Sequence, residues 1–224
     1  MELIEYPDAE MMMMDLGNRL AGELEGCLLN HDRASFAVPG GTTPGPVFDV
    51  LCGAKHIDWA RVDVMLTDER RVPEDHERSN TRLIKNRLLV EAAAAANYVN
   101  YIPADDATKA DLAEMSGKIA THLPVSVMLL GMGADMHTAS IFPNSADIDT
   151  ALGTDLNLAF VQPPDGLEPR VTLSGKVLRD AMSCHVVIIG AEKRAALEQA
   201  RKLKPVDAPI ASVLANATVH WAES

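Results

Sequence analysis

The stretch Leu129–Ser140, LLGMGADMHTAS, decides the fold, together with the apolar run Val125-Ser126-Val127-Met128-Leu129-Leu130 that leads into it. The run has the length and aliphatic character of a buried strand. It stops at Gly131-Met132-Gly133, and one carboxylate, Asp135, and one imidazole, His137, follow at once. A strand that ends in glycines and delivers an acid and a base to a loop places them where open α/β sheets bind ligands, beyond the carboxyl ends of the strands. Histidine, with an unperturbed pKa near 6.5, suits proton transfer around neutrality.

Outward from this stretch, strand-like and helix-like segments alternate. Strands are expected at Ser35–Val38, Val62–Leu66, Tyr98–Ile102, Val125–Leu130, Leu158–Val161, His185–Ile189 and Thr218–Trp221. Helices are expected at Asp8–Leu29, with Asp8 as N-cap, and at Pro44–Cys52, Ser79–Ala96, Asp106–His122, Leu173–Ala181 and Ala191–Leu203. This alternation predicts an α/β fold, a mostly parallel twisted sheet with helices on both faces. Near-continuous apolar strands fit a sheet covered on both sides. A length of 224 residues suits one domain, residues 1–224. Met11–Met14 reads as core filler. Pro143–Pro169, rich in Asp, Pro and Gly, reads either as an excursion over the active site or as a surface loop with one short strand.

Lys and Arg total 20 against 32 Asp and Glu, a formal charge of −12. Nucleic acids and anionic membranes call for a basic face, so neither is expected as a partner. An anionic small molecule remains possible through a local cluster of cations and N–H groups. Cys27, Cys52 and Cys184 are far apart and show no metal-ligand spacing, so they read as free thiols of a reducing, cytoplasmic setting. The start, MELIEYPDAE, lacks the basic region of a signal peptide, and no apolar run is long enough to span a bilayer.

Three other motifs carry chemistry. Pro39-Gly40-Gly41-Thr42-Thr43-Pro44 joins a strand to a helix. Glycines allow close backbone approach and a helix N-terminus offers free N–H groups, which together make a phosphate cradle. Gly-Gly-x-x-Pro is also an ordinary turn. Thr67-Asp68-Glu69-Arg70-Arg71 puts four charges at a strand end. Its arginines suit bidentate phosphate binding, and Asp68 and Glu69 could orient them or contact sugar hydroxyls. A solvated turn explains that stretch equally well. Ser79 or Asn80 can cap the next helix. Arg170 and Lys193 complete the set; Lys193 falls in a first helical turn, where a cation is disfavoured unless an anion joins it.

Together these segments resemble the 6-phosphogluconolactonase family. Its Ser-Gly-Gly-Ser-Thr-Pro turn corresponds to Pro39–Pro44, its Asp-Glu-Arg and later Ser-Asn to Asp68–Arg70 and Ser79-Asn80, and its Leu-Gly-Met-Gly-x-Asp-Gly-His-Thr-Ala-Ser-Leu-Phe-Pro to Leu130–Pro143. An Arg-hydrophobic-Thr segment and a late Gly-x-x-Lys correspond to Arg170–Thr172 and Gly190–Lys193. The resemblance implies a modified Rossmann-like fold shared with ribose-5-phosphate isomerase and glucosamine-6-phosphate deaminase. It implies hydrolysis of 6-phospho-D-glucono-1,5-lactone without metal or cofactor, by a monomer or weak homodimer. His137 would be the base on water, with Asp135 orienting it. Gly40, Gly41, Thr42, Thr43, Asp68, Arg70, Arg170 and Lys193 would hold the substrate and its phosphate. An aldose–ketose isomerase/deaminase is the alternative enzyme, but its relatives carry a Glu where this chain has Phe142, which cannot move protons. A sugar-phosphate sensor on the same fold is the non-catalytic alternative. Two positions depart from the family pattern: Pro39 replaces a Ser, and Met136 replaces the Gly before the histidine. If Met136 adopts φ > 0, its loop is strained by about 1–2 kcal/mol, and its side chain could narrow the pocket.

Overall fold

The computed structural model describes residues 1–101 and 111–224. In chain order the elements are β1 (Glu2–Tyr6), α1 (Ala9–Asn30), β2 (Ala34–Val38), α2 (Gly45–Cys52), β3 (Val62–Leu66), β4 (Asp68–Arg70), α3 (Asn80–Arg87) and β5 (Asn97–Tyr98). They continue as α4 (Asp111–Ala120), β6 (Val127–Gly131), α5 (Ile148–Gly153), β7 (Leu158–Val161), β8 (Arg170–Leu173), α6 (Gly175–Arg179), β9 (Ser183–Ile189), α7 (Ala191–Ala200), α8 (Ala211–Leu214) and β10 (Ala217–Ala222).

Seven strands form one sheet in the order β1-β10-β9-β6-β2-β3-β5, and every pairing in it is parallel. Alternate residues of each strand serve different sides, as the pleat requires. Phe36, Val38, Val127, Leu129 and Val187 pack in one apolar cluster with α1, α2 and α3. Ala37, Met128, Leu130, Val186 and Ile188 pack in another with α4, α6, α7 and α8. Covering both faces explains the unbroken apolar strands.

From β2 the chain moves outward to β3 and β5; from β6 it moves the opposite way, to β9 and β10. The adjacent strands β2 and β6 therefore flank the topological switch point, where α/β sheets leave a crevice at their carboxyl ends. The Pro39–Pro44 turn follows β2 and the Asp135–His137 loop follows β6, so connectivity alone brings the two motifs together. A smaller antiparallel sheet, β4-β8-β7, walls this end. It is tied to the large sheet by Thr67 N donating to Val38 O (2.9 Å) and Leu173 N donating to Thr67 O (2.8 Å).

Several elements differ from expectation. β1 is unforeseen: an acidic edge strand whose side chains are mostly exposed or half-buried, so its apolar signal is weak. Asp8 caps α1 as expected, accepting from Met11 N at 2.8 Å. Of Met11–Met14, only Met12 and Met13 are core; Met11 and Met14 are 54% and 53% exposed, because a helix turns only part of a four-residue run inward. The expected helix Ser79–Ala96 ends at Arg87, and a separate 3-10 turn, Glu91–Ala95, follows with Glu91 at φ 49°. Leu173, expected in a helix, closes β8 instead, and α6 is correspondingly short. The expected start of the Asp106–His122 helix and the end of the Tyr98–Ile102 strand lie outside the described residues; α4 occupies the remainder of the former.

Candidate active site

A cleft opens at the switch point. Gly40, Gly41, Thr42, Thr43, Asp68 and Arg70 line it, as do His137, Arg170 and Lys193. Asp135, grouped with them from sequence, does not; it stands behind His137.

The turn after β2 is built on Asn80. A Cβ on Gly40 would lie 1.8 Å from Asn80 Oδ1, so the backbone approaches that amide as only glycine allows. Gly41 has φ +86°, the left-handed region that disfavours other residues. Asn80 is itself fixed: Nδ2 donates to Asp68 O (2.8 Å) and its backbone N to Glu69 Oε1 (2.8 Å).

Glu69 pairs with no arginine side chain among the described residues and does not line the cleft. Its buried carboxylate accepts from Thr81 N (2.7 Å), Asn80 N, Ser79 Oγ (3.1 Å) and Arg70 N (2.7 Å), closing the N-terminus of α3. An anion there meets the positive end of the helix and its free N–H groups. Ser79 is the cap of α3, accepting from Arg82 N. Asp68, also buried, accepts from Ser140 Oγ at 2.6 Å, which pins the loop carrying His137 to the small sheet.

Four cations surround the cleft. Arg70 and Arg170 are directly opposed across β4 and β8, a like-charge pair that is unfavourable without an anion. Arg170 is 6% exposed and donates Nε to Glu168 O (3.0 Å). Burial first, and the neighbouring Arg70 charge second, push its guanidinium below its ordinary pKa. Arg70 donates Nη1 to Arg78 O, while its buried Nε has no hydrogen-bond partner among the described residues. Lys193 lies in the first turn of α7 without an ion pair among the described residues.

In the loop after β6, His137 Nδ1 lies 2.6 Å from Asp135 Oδ1, which also accepts from His137 N (3.1 Å). The carboxylate holds the proton on Nδ1 and leaves the Nε2 lone pair as the basic position. Burial raises the Asp135 pKa, but the hydrogen bond and charge of His137 outweigh it and hold the carboxyl below its ordinary value. Gly133 makes room for this pair: a Cβ there would lie 2.2 Å from His137 Nδ1 and 2.4 Å from Asp135 Oδ1. The loop closes on itself through Gly133 N to His137 O and Met136 N to Gly133 O, both 3.0 Å. Met136 has φ 69°, so the strained alternative holds. Its side chain packs against the core and does not line the cleft, so it does not narrow the pocket. Phe142 does line it, its ring centroid 4.7 Å from that of His137.

Pro143–Pro169 contains α5 and β7, and its far end reaches the cleft through Asp165 and Leu167. Arg78 and Asn80 are cleft residues that the sequence reading did not assign to it. The sequence marks Asn80 as a candidate cap and as half of the family's Ser-Asn pair, with no place in the cleft; Arg78, a lone arginine in a polar turn, gives no signal of its own.

The family model described as glucosamine-6-phosphate isomerases/6-phosphogluconolactonase matches residues 7–221. A 6-phosphogluconolactonase of Rhizobium meliloti (strain 1021) is 35% identical over 232 residues, covering 99% of this chain and 98% of that protein. The crystal structure of a 6-phosphogluconolactonase from Shewanella baltica OS155 superposes with a TM-score of 0.94 at 29% identity, covering 99% and 97% of the two chains. A monomeric glucosamine-6-phosphate deaminase shares the fold, with a TM-score of 0.82 at 13% identity over 99% of this chain and 97% of that one.

Proposed function

The chain belongs to the glucosamine-6-phosphate isomerase/6-phosphogluconolactonase family, and on that premise we propose that it hydrolyses 6-phospho-D-glucono-1,5-lactone to 6-phospho-D-gluconate in the pentose phosphate pathway. The observation that carries the reading is a carboxylate-held imidazole, His137 on Asp135 at 2.6 Å, in one cleft with Arg70, Arg170 and Lys193. A base and an anion site together suit a substrate that is both an ester and a phosphate.

The phosphate docks against the Gly40–Thr43 turn and the cations, which fixes the lactone ring. His137 Nε2 takes a proton from water as the water oxygen bonds to the C1 carbonyl carbon. Cations and N–H groups of the cleft hold the resulting oxyanion. The carbonyl re-forms, the bond from C1 to the ring oxygen breaks, and the imidazolium returns its proton to that oxygen. Asp135 holds the ring in the required tautomer and stabilises the imidazolium. The carbonyl is already electrophilic, so the reading calls for no metal or cofactor. It extends to one α/β unit over residues 1–224, a monomer or weak homodimer of the cytoplasm, with which three free cysteines agree.

General-base help of this kind is worth about 10²–10⁴-fold. Lactone hydrolysis, with the spontaneous reaction subtracted, tests the reading. His137→Ala lowers kcat by that factor with little change in KM, and Arg170→Ala chiefly raises KM. Ammonia release from glucosamine-6-phosphate, or binding without turnover, would replace the reading with a deaminase or a sensor. Phe142 beside His137 speaks against the deaminase, since it offers no proton.

A further inference from the structure

Arg78 lies outside every motif that the family resemblance rests on, yet it lines the cleft. Its Nε lies 3.0 Å from Glu168 Oε1, and the other oxygen of the same carboxylate, Oε2, lies 3.9 Å from Arg170 Nη2. One carboxylate on the strand-ward end of Pro143–Pro169 thus stands between two guanidiniums. Arg78 is also joined to the third, because its carbonyl accepts from Arg70 Nη1.

A surface ion pair would be worth little, about 0–1 kcal/mol. This one differs in two respects. The Arg78 and Glu168 side chains are only 34% and 22% exposed, and Arg78 lines the cleft. The group also contains two buried polar atoms without hydrogen-bond partners among the described residues, Glu168 Oε2 and Arg70 Nε. Such atoms are costly. Three guanidiniums face two carboxylates, Glu168 and Asp68, whose charges both act on Arg170, which leaves an excess of positive charge; Asp68 is also engaged by Ser140 Oγ, and Glu69 is spent on the N-terminus of α3. A phosphate dianion among Arg70, Arg78 and Arg170 supplies the missing charge.

We propose that Arg78 is a third guanidinium of the phosphate subsite, and that Glu168 is a positioning residue that aims Arg78 and Arg170 into the cleft. The proposal rests on the lactonase reading for its substrate, but the phosphate subsite can be read without turnover. Its consequence is specificity: a phosphorylated lactone gains contacts that the unphosphorylated sugar lactone cannot make.

The test compares wild type, Arg78→Ala, Arg78→Lys and Glu168→Gln. Each is measured with 6-phosphogluconolactone, with unphosphorylated gluconolactone, and for competition by inorganic phosphate. Arg78→Ala should raise KM for the phosphorylated lactone about tenfold, raise the inhibition constant of phosphate in parallel, and lower the preference for phosphorylated substrate by a similar factor. Arg78→Lys should recover part of the loss, and Glu168→Gln should shift the same quantities by about threefold. Unchanged KM and phosphate affinity in Arg78→Ala, with Arg170→Ala raising both, would overturn the role of Arg78. Equal losses on both lactones in Glu168→Gln would show a general structural role for Glu168 and overturn its positioning role. If wild type hydrolyses no lactone, the functional reading fails separately, and phosphate binding by calorimetry still decides Arg78: weaker binding in Arg78→Ala supports it, equal binding refutes it.

Discussion

Among the places in this molecule where a histidine meets a carboxylate, two are built for opposite purposes. At the carboxyl end of β6, His137 and Asp135 are 33% and 51% exposed at their side chains, one imidazole nitrogen is committed, and cations line the cleft in front. Across β1, β10 and β9 runs a second chain of groups: Asp15, Tyr6, His220, His185 and Glu23. Tyr6 Oη donates to Asp15 Oδ2 (2.6 Å) and lies 2.9 Å from His220 Nδ1; His220 Nε2 lies 3.0 Å from His185 Nδ1; His185 Nε2 lies 3.0 Å from Glu23 Oε2. Here His185 and His220 are 2% and 0% exposed, and every ring nitrogen has a partner. The contact between imidazole and carboxylate is shared. Reactivity comes from the free nitrogen and the ligand-sized space before it, both of which only the first region has.

The largest expected effect breaks the comparison on the buried side. Tyr6 Oη is committed to donating to Asp15, so His220 Nδ1 carries the proton and Nε2 accepts from His185; His220 is neutral. Burial first, and the His185 charge second, lower its pKa to about 3 from the usual 6.5. The unfolded chain therefore binds a proton between those values that the folded one does not, so this contribution is present above pH 6.5 and is lost as pH falls toward 3. At about 1.4 kcal/mol per unit the loss reaches roughly 5 kcal/mol. Urea unfolding of wild type should weaken steadily below pH 6.5. In His220→Gln, which starts less stable, the decline should begin only near pH 5, where carboxylates titrate; parallel curves would remove His220 as the source.

A smaller effect sharpens the open side. Gly133→Ala forces a Cβ against His137 Nδ1 and Asp135 Oδ1. Catalysis depends on placement to within about an ångström, so kcat should fall by about tenfold or more while the melting temperature moves by only a few degrees. A variant with full activity would show that the pair needs no such clearance. Smallest is Met136→Gly. It relieves about 1–2 kcal/mol of left-handed strain, set against the greater freedom of unfolded glycine and the lost packing of Met136 on the core. Denaturant midpoints should therefore place the variant within about 1 kcal/mol of wild type.

The large sheet was legible because its central strands are apolar on both faces: Ser35–Val38 and Val62–Leu66 fall within or on observed strands. Elements with mixed burial were not. β1 carries acids at an exposed edge, and β4 and β8 are short strands rich in polar residues, of which Asp68, Arg70 and Arg170 line the cleft, so neither shows the apolar run that reading relies on. At the site, the switch point brings together residues from both motifs without any long-range signal being needed. The role of Glu69 was hidden, since its four partners include three backbone or hydroxyl groups ten or more residues away. Arg78 was hidden for the same reason: its partner Glu168 lies far along the chain, on the approach to β8. Met136 is the opposite case. The sequence posed the question of its backbone, and φ 69° answers it.

The central claim is that His137, and not merely a histidine paired with a carboxylate, moves the proton. Steady-state lactone hydrolysis by purified wild type, His137→Asn and His185→Asn, each corrected for spontaneous hydrolysis and for the folded fraction, tests it most directly. The account predicts a kcat lower by about 10²–10⁴-fold for His137→Asn and a near-wild-type kcat per folded molecule for His185→Asn. Near-wild-type turnover by His137→Asn would contradict it.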